Sequence, residues 1–454
     1  MSTPRTSSLT SGPIAPTLAR LTGPMILGMF SMIAFNLADF TFVGMIGTLD
    51  QAAMSFTLPV VMILGAIGMG MSMGAAAVVS KAVGEENPKK VQRLTVDSLF
   101  LAVVLAGIFV FVGLLTIDPL FRALGANEET LPKIKEYMEI WYAGVIFVIV
   151  PFVGNSAIRA AGDTLTPAII MISMVGLNIL LDYLLILGPG PFPEMGIRGA
   201  AWGTLIARGF SLIFGMIVLF RRNMLTAAIP SAKDAWASWL SILKIGLPAS
   251  ATNLVVPMTT ALITKIVSEF GEGAIAAIGV ASRIDLFAIM VVVALSSVMG
   301  PFVGQNLGAR KYQRLKEGID MAQRFSLIWG IAMMGLLFLT SKWVAPIFTN
   351  DPEVIDILIQ YLWIAPIGYA PRCIYALGNT ILNTLGKPLQ ASSITIVQMF
   401  GIYLPMAWAG AQMFGLQGVF WSLALAYVAG GTASFLLVRR EVKILTSPAA
   451  AMAS

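Results

Sequence analysis

The sequence predicts an all-α integral membrane protein, with twelve transmembrane helices in two six-helix lobes related by pseudo-two-fold symmetry. Of its 454 residues, 57% are hydrophobic and 11% are charged, whereas soluble domains carry roughly 25% charged residues. Apolar runs of about 20 residues, the length that spans a bilayer, recur along the whole chain. The two halves of the chain also match one another in outline.

The predicted spans are joined by short connections that leave no room for a separate soluble domain. Those of the first half are residues 20–46, 52–80, 93–117, 134–155, 164–188 and 196–220. Those of the second half are residues 240–268, 274–304, 321–343, 355–379, 389–411 and 416–438. The expected organisation is a disordered tail over residues 1–16, an N-lobe over 17–222, a linker over 223–239, a C-lobe over 240–440 and a tail over 441–454.

Basic residues are distributed unevenly between alternate loops. With the N-terminus in the cytoplasm, twenty Lys and Arg residues fall in cytoplasmic segments and five in external loops, which is the positive-inside pattern. We therefore expect both termini to be cytoplasmic. The net charge of +6 then indicates topology rather than nucleic-acid binding. The short loops and tails favour a bacterial inner membrane.

Aligning the two halves so that Pro24 falls on Pro248 brings equivalent features into register. Because each half has an even number of spans, the repeats are parallel, and such repeats are one of the transporter architectures. The same alignment pairs Gly47 with Gly271, Gly84 with Gly308, Tyr137 with Tyr361 and Gly162 with Gly386. A slightly smaller shift aligns the segment Gly196-x-x-Gly199-x-x-Trp202 with Gly415-x-x-Gly418-x-x-Trp421.

The halves differ in the ionisable residues within their spans. Asp39 and Asp182 of the first half correspond to apolar residues of the second. Conversely, Lys265, Arg283 and Arg372 correspond to uncharged residues of the first half. The sequence thus predicts buried acid in the first half and base in the second, with Arg372 a paired or snorkelling cation.

Asp39 is the first candidate for function. A carboxylate within a span is costly and usually faces a cavity, a partner or an ion path. The chain has no histidine, so proton-coupled chemistry must use carboxylates. Helical rise places Asn178, Asp182 and Thr204 at a depth similar to that of Asp39, and Asn178 lies one turn from Asp182 on the same face.

Further residues extend this predicted site. Asn36 lies one turn before Asp39, and Tyr137 enters from the fourth span near the same level. Pro24, early in the first span, removes a backbone hydrogen bond and permits a bend. The alternative interpretation is that these polar groups only hold helices together and that Pro24 only starts a helix.

The expected chemistry is proton binding and release. Burial favours the neutral form of a carboxylate, and two acids that share a site titrate as a pair. Sodium is the competing ligand, because carboxylate, amide and hydroxyl oxygens are also the ligands of a hard cation.

Other classes of function lack their residues. There is no Walker-type loop for ATP, and a Ser-His-Asp set is impossible without histidine. The single cysteine, Cys373, excludes an internal disulfide and a cysteine-cluster metal site. We therefore expect a secondary transporter rather than an enzyme, without a cofactor or a metal, and a monomer.

The chain resembles the MATE (multidrug and toxic compound extrusion) transporters over residues 15–440. The resemblance rests on the twelve spans, Pro24 followed by Asp39, the Asn178/Asp182 pair, VGQNLGA at 303–309 and IRAAGD at 158–163. It looks like the DinF-like branch. This implies that Asp39 is the principal protonation site, that Asn178, Asp182, Thr204 and Tyr137 form its hydrogen-bond network, and that the first helix bends at Pro24.

The resemblance also implies a function. Such transporters export organic, often cationic and amphipathic compounds in exchange for H⁺ or Na⁺. In the expected cycle, a proton from outside neutralises Asp39, the network rearranges, the first helix bends and the substrate leaves. Open alternatives are a Na⁺-coupled exporter of the same family, a solute-specific exporter, and a lipid-linked or polysaccharide flippase of the same superfamily.

Overall fold

The computed structural model describes residues 9–189, 191, 193–227 and 231–447, apart from the side chains of residues 36, 37, 39, 40, 43, 46 and 48. This described chain is helical almost throughout and contains no strand. Its composition explains why, since in hydrocarbon each backbone amide must find a partner within the chain and a helix provides one locally.

Each half of the chain contributes a series of long helices. The first half forms α1 (Ile14–Ile46), α2 (Thr48–Gly84), α3 (Pro88–Ala123), α4 (Thr130–Ala143), α5 (Ile146–Ala160), α6 (Leu165–Leu187) and α7 (Ile197–Arg221). The second forms α8 (Ala232–Ser268), α9 (Glu272–Gly308), α10 (Tyr312–Phe348), α11 (Pro352–Ile364), α12 (Tyr369–Thr384), α13 (Pro388–Ile396) and α14 (Leu404–Leu445). A 3₁₀ turn (Ala365–Gly368) joins α11 to α12, and a π-helical segment (Val397–Tyr403) joins α13 to α14.

These helices account for the predicted spans. In the described chain, ten stretches are long and apolar enough to cross a membrane, and the bent pair α4 and α5 forms one more. The stretch Pro388–Leu445 has 58 residues and is broken at Gly415, whose φ of 63° and ψ of −147° are not helical. It therefore supplies two spans, and the predicted all-α membrane fold with twelve spans is confirmed.

The helices form two compact units. The first unit holds Gly23–Ser250, and the second holds Leu9–Thr22 together with the residues from Ala251 onward. Each unit has its own hydrophobic core. Both unit boundaries fall inside a long helix, and each lies within one helical turn of a proline, Pro24 in α1 or Pro248 in α8.

The observed boundaries differ from the expected ones. α8 begins at Ala232, inside the predicted linker, and α14 continues to Leu445, inside the predicted C-terminal tail. α1 begins at Ile14, and Leu9 is only 1% exposed. The predicted disordered tail is therefore wrong for residues 9–16, because its order comes from tertiary hydrogen bonds that composition does not reveal.

Those hydrogen bonds hold residues 9–12, here called the N-terminal strap, on the second unit. The Leu9 N–H donates to Gln305 Oε1 at 2.8 Å, and Asn306 Nδ2 donates back to the Leu9 carbonyl at 3.3 Å. Arg314 donates to three strap carbonyls at 2.7–3.2 Å. Lys311 donates to a fourth at 2.9 Å. The QN pair of the VGQNLGA segment thus anchors the chain just before α1.

Backbone geometry confirms the internal repeat. Gly84 and Gly308 each end a helix, and shortly after them Glu86 and Arg310 have φ angles of 53° and 55°. A positive φ is uncommon for residues other than glycine. Glu86 and Arg310 are equivalent in the alignment that pairs Pro24 with Pro248. Both units therefore turn the chain in the same way after equivalent helices.

The broken span is also repeated. Gly144 lies at the break between α4 and α5, and its equivalent in the same alignment, Gly368, ends the 3₁₀ turn before α12. A Cβ atom on Gly144 would overlap the Leu205 side chain, and one on Gly368 would lie 3.1 Å from Ala424. Leu205 and Ala424 are equivalent in the second alignment, which pairs the Gly-x-x-Gly-x-x-Trp segments. In each unit, the missing side chain lets the broken span approach the sixth span closely.

Candidate functional site

The predicted Asn178–Asp182 pair is buried in α6. Both residues are 0% exposed, and Asn178 Nδ2 donates to Asp182 Oδ1 at 3.3 Å. The i,i+4 spacing stacks the two side chains on one helix face, as predicted. A buried carboxylate is stable only with partners, and the Asn178 amide is one of them.

Helix α7 packs against this pair through glycine. A Cβ atom on Gly203 would lie 2.5 Å from Asp182 Oδ1, and one on Gly199 would overlap the Leu185 carbonyl oxygen. Glycine at these two positions, one turn apart, lets α7 approach α6 more closely than any side chain would allow. Thr204, adjacent to Gly203, is 5% exposed, so three of the predicted polar residues occupy this contact region.

Helix α1 runs parallel to α6 along the same unit. A Cβ atom on Gly28 would lie 3.5 Å from the Ala168 backbone, and Phe35 packs in one buried cluster with Val175. The interval from Gly28 to Phe35 equals that from Ala168 to Val175, so the two helices stay in register. Continuing this register places the backbone of Asp39 level with residue 179, beside Asn178.

The side chains of Asn36 and Asp39 lie outside the described residues, although their backbone belongs to α1. Phe35, next to Asn36, has a described contact: the centroid of its ring lies 5.9 Å from the Arg208 guanidinium. Arg208 is on α7, one turn after Thr204. Arg208 is not among the site residues predicted from the sequence.

Tyr137 and Pro24 are the remaining predicted residues. Tyr137, in α4, is 4% exposed and belongs to the same hydrophobic core as Ile186 and Ile197. Ile186 is one turn from Asp182 on α6. Pro24 lies inside α1, which is helical on both sides of it.

A second polar cluster lies in the second unit, centred on Asp285 of α9. Tyr369 donates to its Oδ1 at 2.5 Å, and Tyr361 donates to its Oδ2 at 2.9 Å. Arg372 Nη1 also donates to Oδ2, at 2.7 Å. The Arg372 guanidinium lies 4.9 Å from the centroid of the Tyr427 ring. Four helices, α9, α11, α12 and α14, therefore meet at one buried ion pair.

The prediction of base without buried acid in the second half is wrong, because Asp285 is 6% exposed. Arg372 is paired, as expected. The acid was not predicted because the sequence alone does not show that Asp285 faces the core or which base it meets. The true partner is 87 residues away in sequence and meets Asp285 through tertiary packing. The pair could have been predicted from the presence of an acid in one apolar span and a base in another.

Parallel six-span repeats with polar clusters buried in membrane-crossing helices define a membrane transporter rather than an enzyme. The particular family follows from comparison. The MatE family model matches residues 24–184 and 248–409, and the chain therefore belongs to the MatE family of transporters. The two matches begin at Pro24 and Pro248, the equivalent prolines of the repeat.

Known relatives match over nearly their whole length. A "FAD transporter" of Shewanella oneidensis is 33% identical over 433 residues, which cover 95% of this chain and 96% of the relative. The "Multidrug export protein MepA" of Staphylococcus aureus is 27% identical and covers 94% of each chain. A crystal structure of the Vibrio cholerae MATE transporter VcmN in its bent form superimposes with a TM-score of 0.89 at 28% identity, covering 95% of this chain and 98% of VcmN.

Proposed function

We propose that this chain exports organic compounds by alternating access in exchange for protons, and that Asp39, Asp182 and Asn178 carry the coupling. The observation that supports it best is the Asn178–Asp182 pair, which is fully buried in α6. The register of α1 and α6, continued from Gly28 and Phe35, puts the Asp39 backbone at the level of this pair. Asn36, Thr204 and Tyr137 would complete the hydrogen-bond network around these carboxylates.

The Asn178 amide suits proton exchange. Its Nδ2 donates to the Asp182 carboxylate, and its Oδ1 makes no hydrogen bond among the described residues. The side chain therefore offers a donor to a charged carboxylate and an acceptor to a protonated one. Sodium coupling remains the alternative, since the same oxygens are ligands of a hard cation.

In the proposed cycle, a proton from outside neutralises Asp39 and the network rearranges. Helix α1 then bends at Pro24, beside the point in this helix where one compact unit ends and the other begins. The bend releases the substrate outward.

The substrate class is proposed from the relatives. The similarity to MepA supports export of drug-like organic compounds, often cationic and amphipathic. A second candidate is export of FAD, favoured by the Shewanella protein because its identity, 33%, exceeds the 27% of MepA. A flippase of lipid-linked sugars is a third candidate that the experiment below separates.

The proposed setting is a bacterial inner membrane. The positive-inside pattern supports a cytoplasmic location for both termini. We propose that the protein works as a monomer surrounded by lipid, without a cofactor other than the coupling ion.

The test is efflux of ethidium from cells that lack their own pumps, driven by a pH gradient in one set and a Na⁺ gradient in another. Efflux driven by the pH gradient and lost in Asp39→Asn would support the proposal. The matched control is Asp118→Asn, because Asp118 is an exposed acid paired with Lys135. Efflux driven only by Na⁺, or unaffected by Asp39→Asn, would refute proton coupling through Asp39. If the cells retain ethidium but export FAD, the second candidate is favoured. If they retain both compounds, a flippase is favoured.

A further inference from the structure

Arg372 has more hydrogen-bonding capacity than its ion pair uses. A guanidinium carries five N–H donors in a fixed fork, and only Nη1 reaches Asp285. The Arg372 side chain is 19% exposed, against 9% for Asp285. A guanidinium facing hydrocarbon is costly, so the exposed part of this fork indicates space that water or a polar ligand can enter.

The fork is held in place on several sides. Both carboxylate oxygens of Asp285 already accept hydrogen bonds from Tyr361, Tyr369 and Arg372. The preceding residue, Pro371, lies so close to Gly431 that a Cβ atom there would overlap the Pro371 carbonyl oxygen. Both oxygens of Asp285 are therefore engaged and orient the guanidinium, whereas the guanidinium keeps donors to spare.

Aromatic rings surround this charge. Five of the nine tyrosines of the chain lie in the second unit on α11, α12, α14 and the π-helical segment. They are Tyr361, Tyr369, Tyr375, Tyr403 and Tyr427. The ring of Tyr427 lies under the Arg372 guanidinium, which is a favourable cation–π geometry. Flat aromatic ligands stack on rings of this kind.

A buried amide of the same unit has no hydrogen-bond partner among the described residues. Gln398 is 1% exposed, and neither its nitrogen nor its oxygen makes a hydrogen bond among the described residues. It lies in the π-helical segment Val397–Tyr403, and such segments are frequent at functional sites. A Cβ atom on Gly430, about one turn after Tyr427, would overlap Gln398 Oε1. An unsatisfied buried amide is destabilising, so a ligand that bonds it would be favoured.

We infer that Arg372, Tyr427 and Gln398 form a substrate subsite in the second unit that binds the phosphate or carboxylate group of an aromatic compound. Arg372 binds the anion, Tyr427 supports the ring, and Asp285 is a positioning residue that fixes the fork. A cationic group is disfavoured here because the Asp285 oxygens are occupied and the available charge is positive. The inference rests on the proposed export function and gives anionic aromatic substrates a binding site within it.

The test measures binding to purified protein in lipid nanodiscs, without an ion gradient. Riboflavin and flavin mononucleotide share one fluorescent ring system and differ by a phosphate. The wild-type protein should bind the mononucleotide about 10- to 100-fold more tightly, the range for hydrogen bonds to a charged group. Arg372→Gln should abolish this preference while riboflavin still binds, and Arg372→Lys should restore part of it. Arg283→Gln is the control, an exposed arginine of the same unit.

A double variant separates loss of the subsite from loss of folding. Arg372→Gln leaves the Asp285 carboxylate without its cation, whereas Arg372→Gln combined with Asp285→Asn leaves a neutral pair, and it too should lose the preference. If either folded variant keeps the wild-type preference, or if the wild-type protein shows none, the subsite is refuted. If the preference is intact but cells export neither ethidium nor FAD, the proposed export function alone would be refuted.

Discussion

Replacing Gly203 by alanine should impair transport by moving the Asp182 carboxylate. The new Cβ atom would lie 2.5 Å from Asp182 Oδ1, whereas ordinary contacts are 3.4–4 Å. The carboxylate must therefore retreat by about 1 Å or more. That movement weakens the 3.3 Å hydrogen bond from Asn178. A hydrogen bond to a charged group is worth roughly 1.5–3 kcal/mol, so proton-driven efflux should fall by about tenfold or more.

The assay compares pH-driven ethidium efflux of Gly203→Ala with that of Gly209→Ala, on the same helix. At Gly209 the nearest atoms, those of Phe147, are 3.9–4.0 Å from the new Cβ, so alanine fits. Both changes raise the helix propensity of α7 by up to about 1 kcal/mol. A difference in efflux between the two variants therefore reports on the Asp182 site and not on the stability of α7. If Gly203→Ala exports ethidium as fast as the wild-type protein, the close contact between α7 and Asp182 does not contribute to transport, and the reasoning is refuted.

Two further changes test other parts of the fold. Arg314→Gln removes three hydrogen bonds to the N-terminal strap, so amide hydrogen exchange in the strap should accelerate at least about tenfold. The change Lys316→Gln at an exposed neighbour should leave exchange unaltered, and equal exchange in both variants would contradict the strap contacts. Gly415→Ala forces a side chain into a positive-φ backbone at a cost of roughly 1–3 kcal/mol. It should lower the thermal unfolding temperature, whereas Gly335→Ala, which has open space, should not; the reverse order would refute the break.

Much of the fold could be predicted because membrane insertion makes hydropathy and short loops decisive. The twelve spans and the internal repeat were readable from the chain, and glycines such as Gly144 and Gly368 proved to occupy equivalent breaks. The order of the strap could not be predicted. It depends on Gln305 and Arg314, about 300 residues away in sequence, and the Ser-, Thr- and Pro-rich composition of residues 1–16 is typical of a tail.

The site shows the same division between local and long-range information. Asn178 and Asp182 are one helical turn apart, so their pairing followed from spacing alone. The Asp285–Arg372 pair joins two spans, and no periodicity predicts which face each residue presents. Within the first unit, the contact between Gly203 and the Asp182 carboxylate also depends on how two helices pack and could not be predicted from spacing.

Exchange of substrate for protons at the carboxylates of the first unit can be measured as proton release when substrate binds. Ethidium would be added to purified protein in weakly buffered solution, and the pH change would be recorded for wild type, Asp39→Asn and Asp118→Asn. Wild type and Asp118→Asn should release protons, and Asp39→Asn should release none. Equal release by all three proteins, or binding of ethidium to wild type without any release, would contradict it.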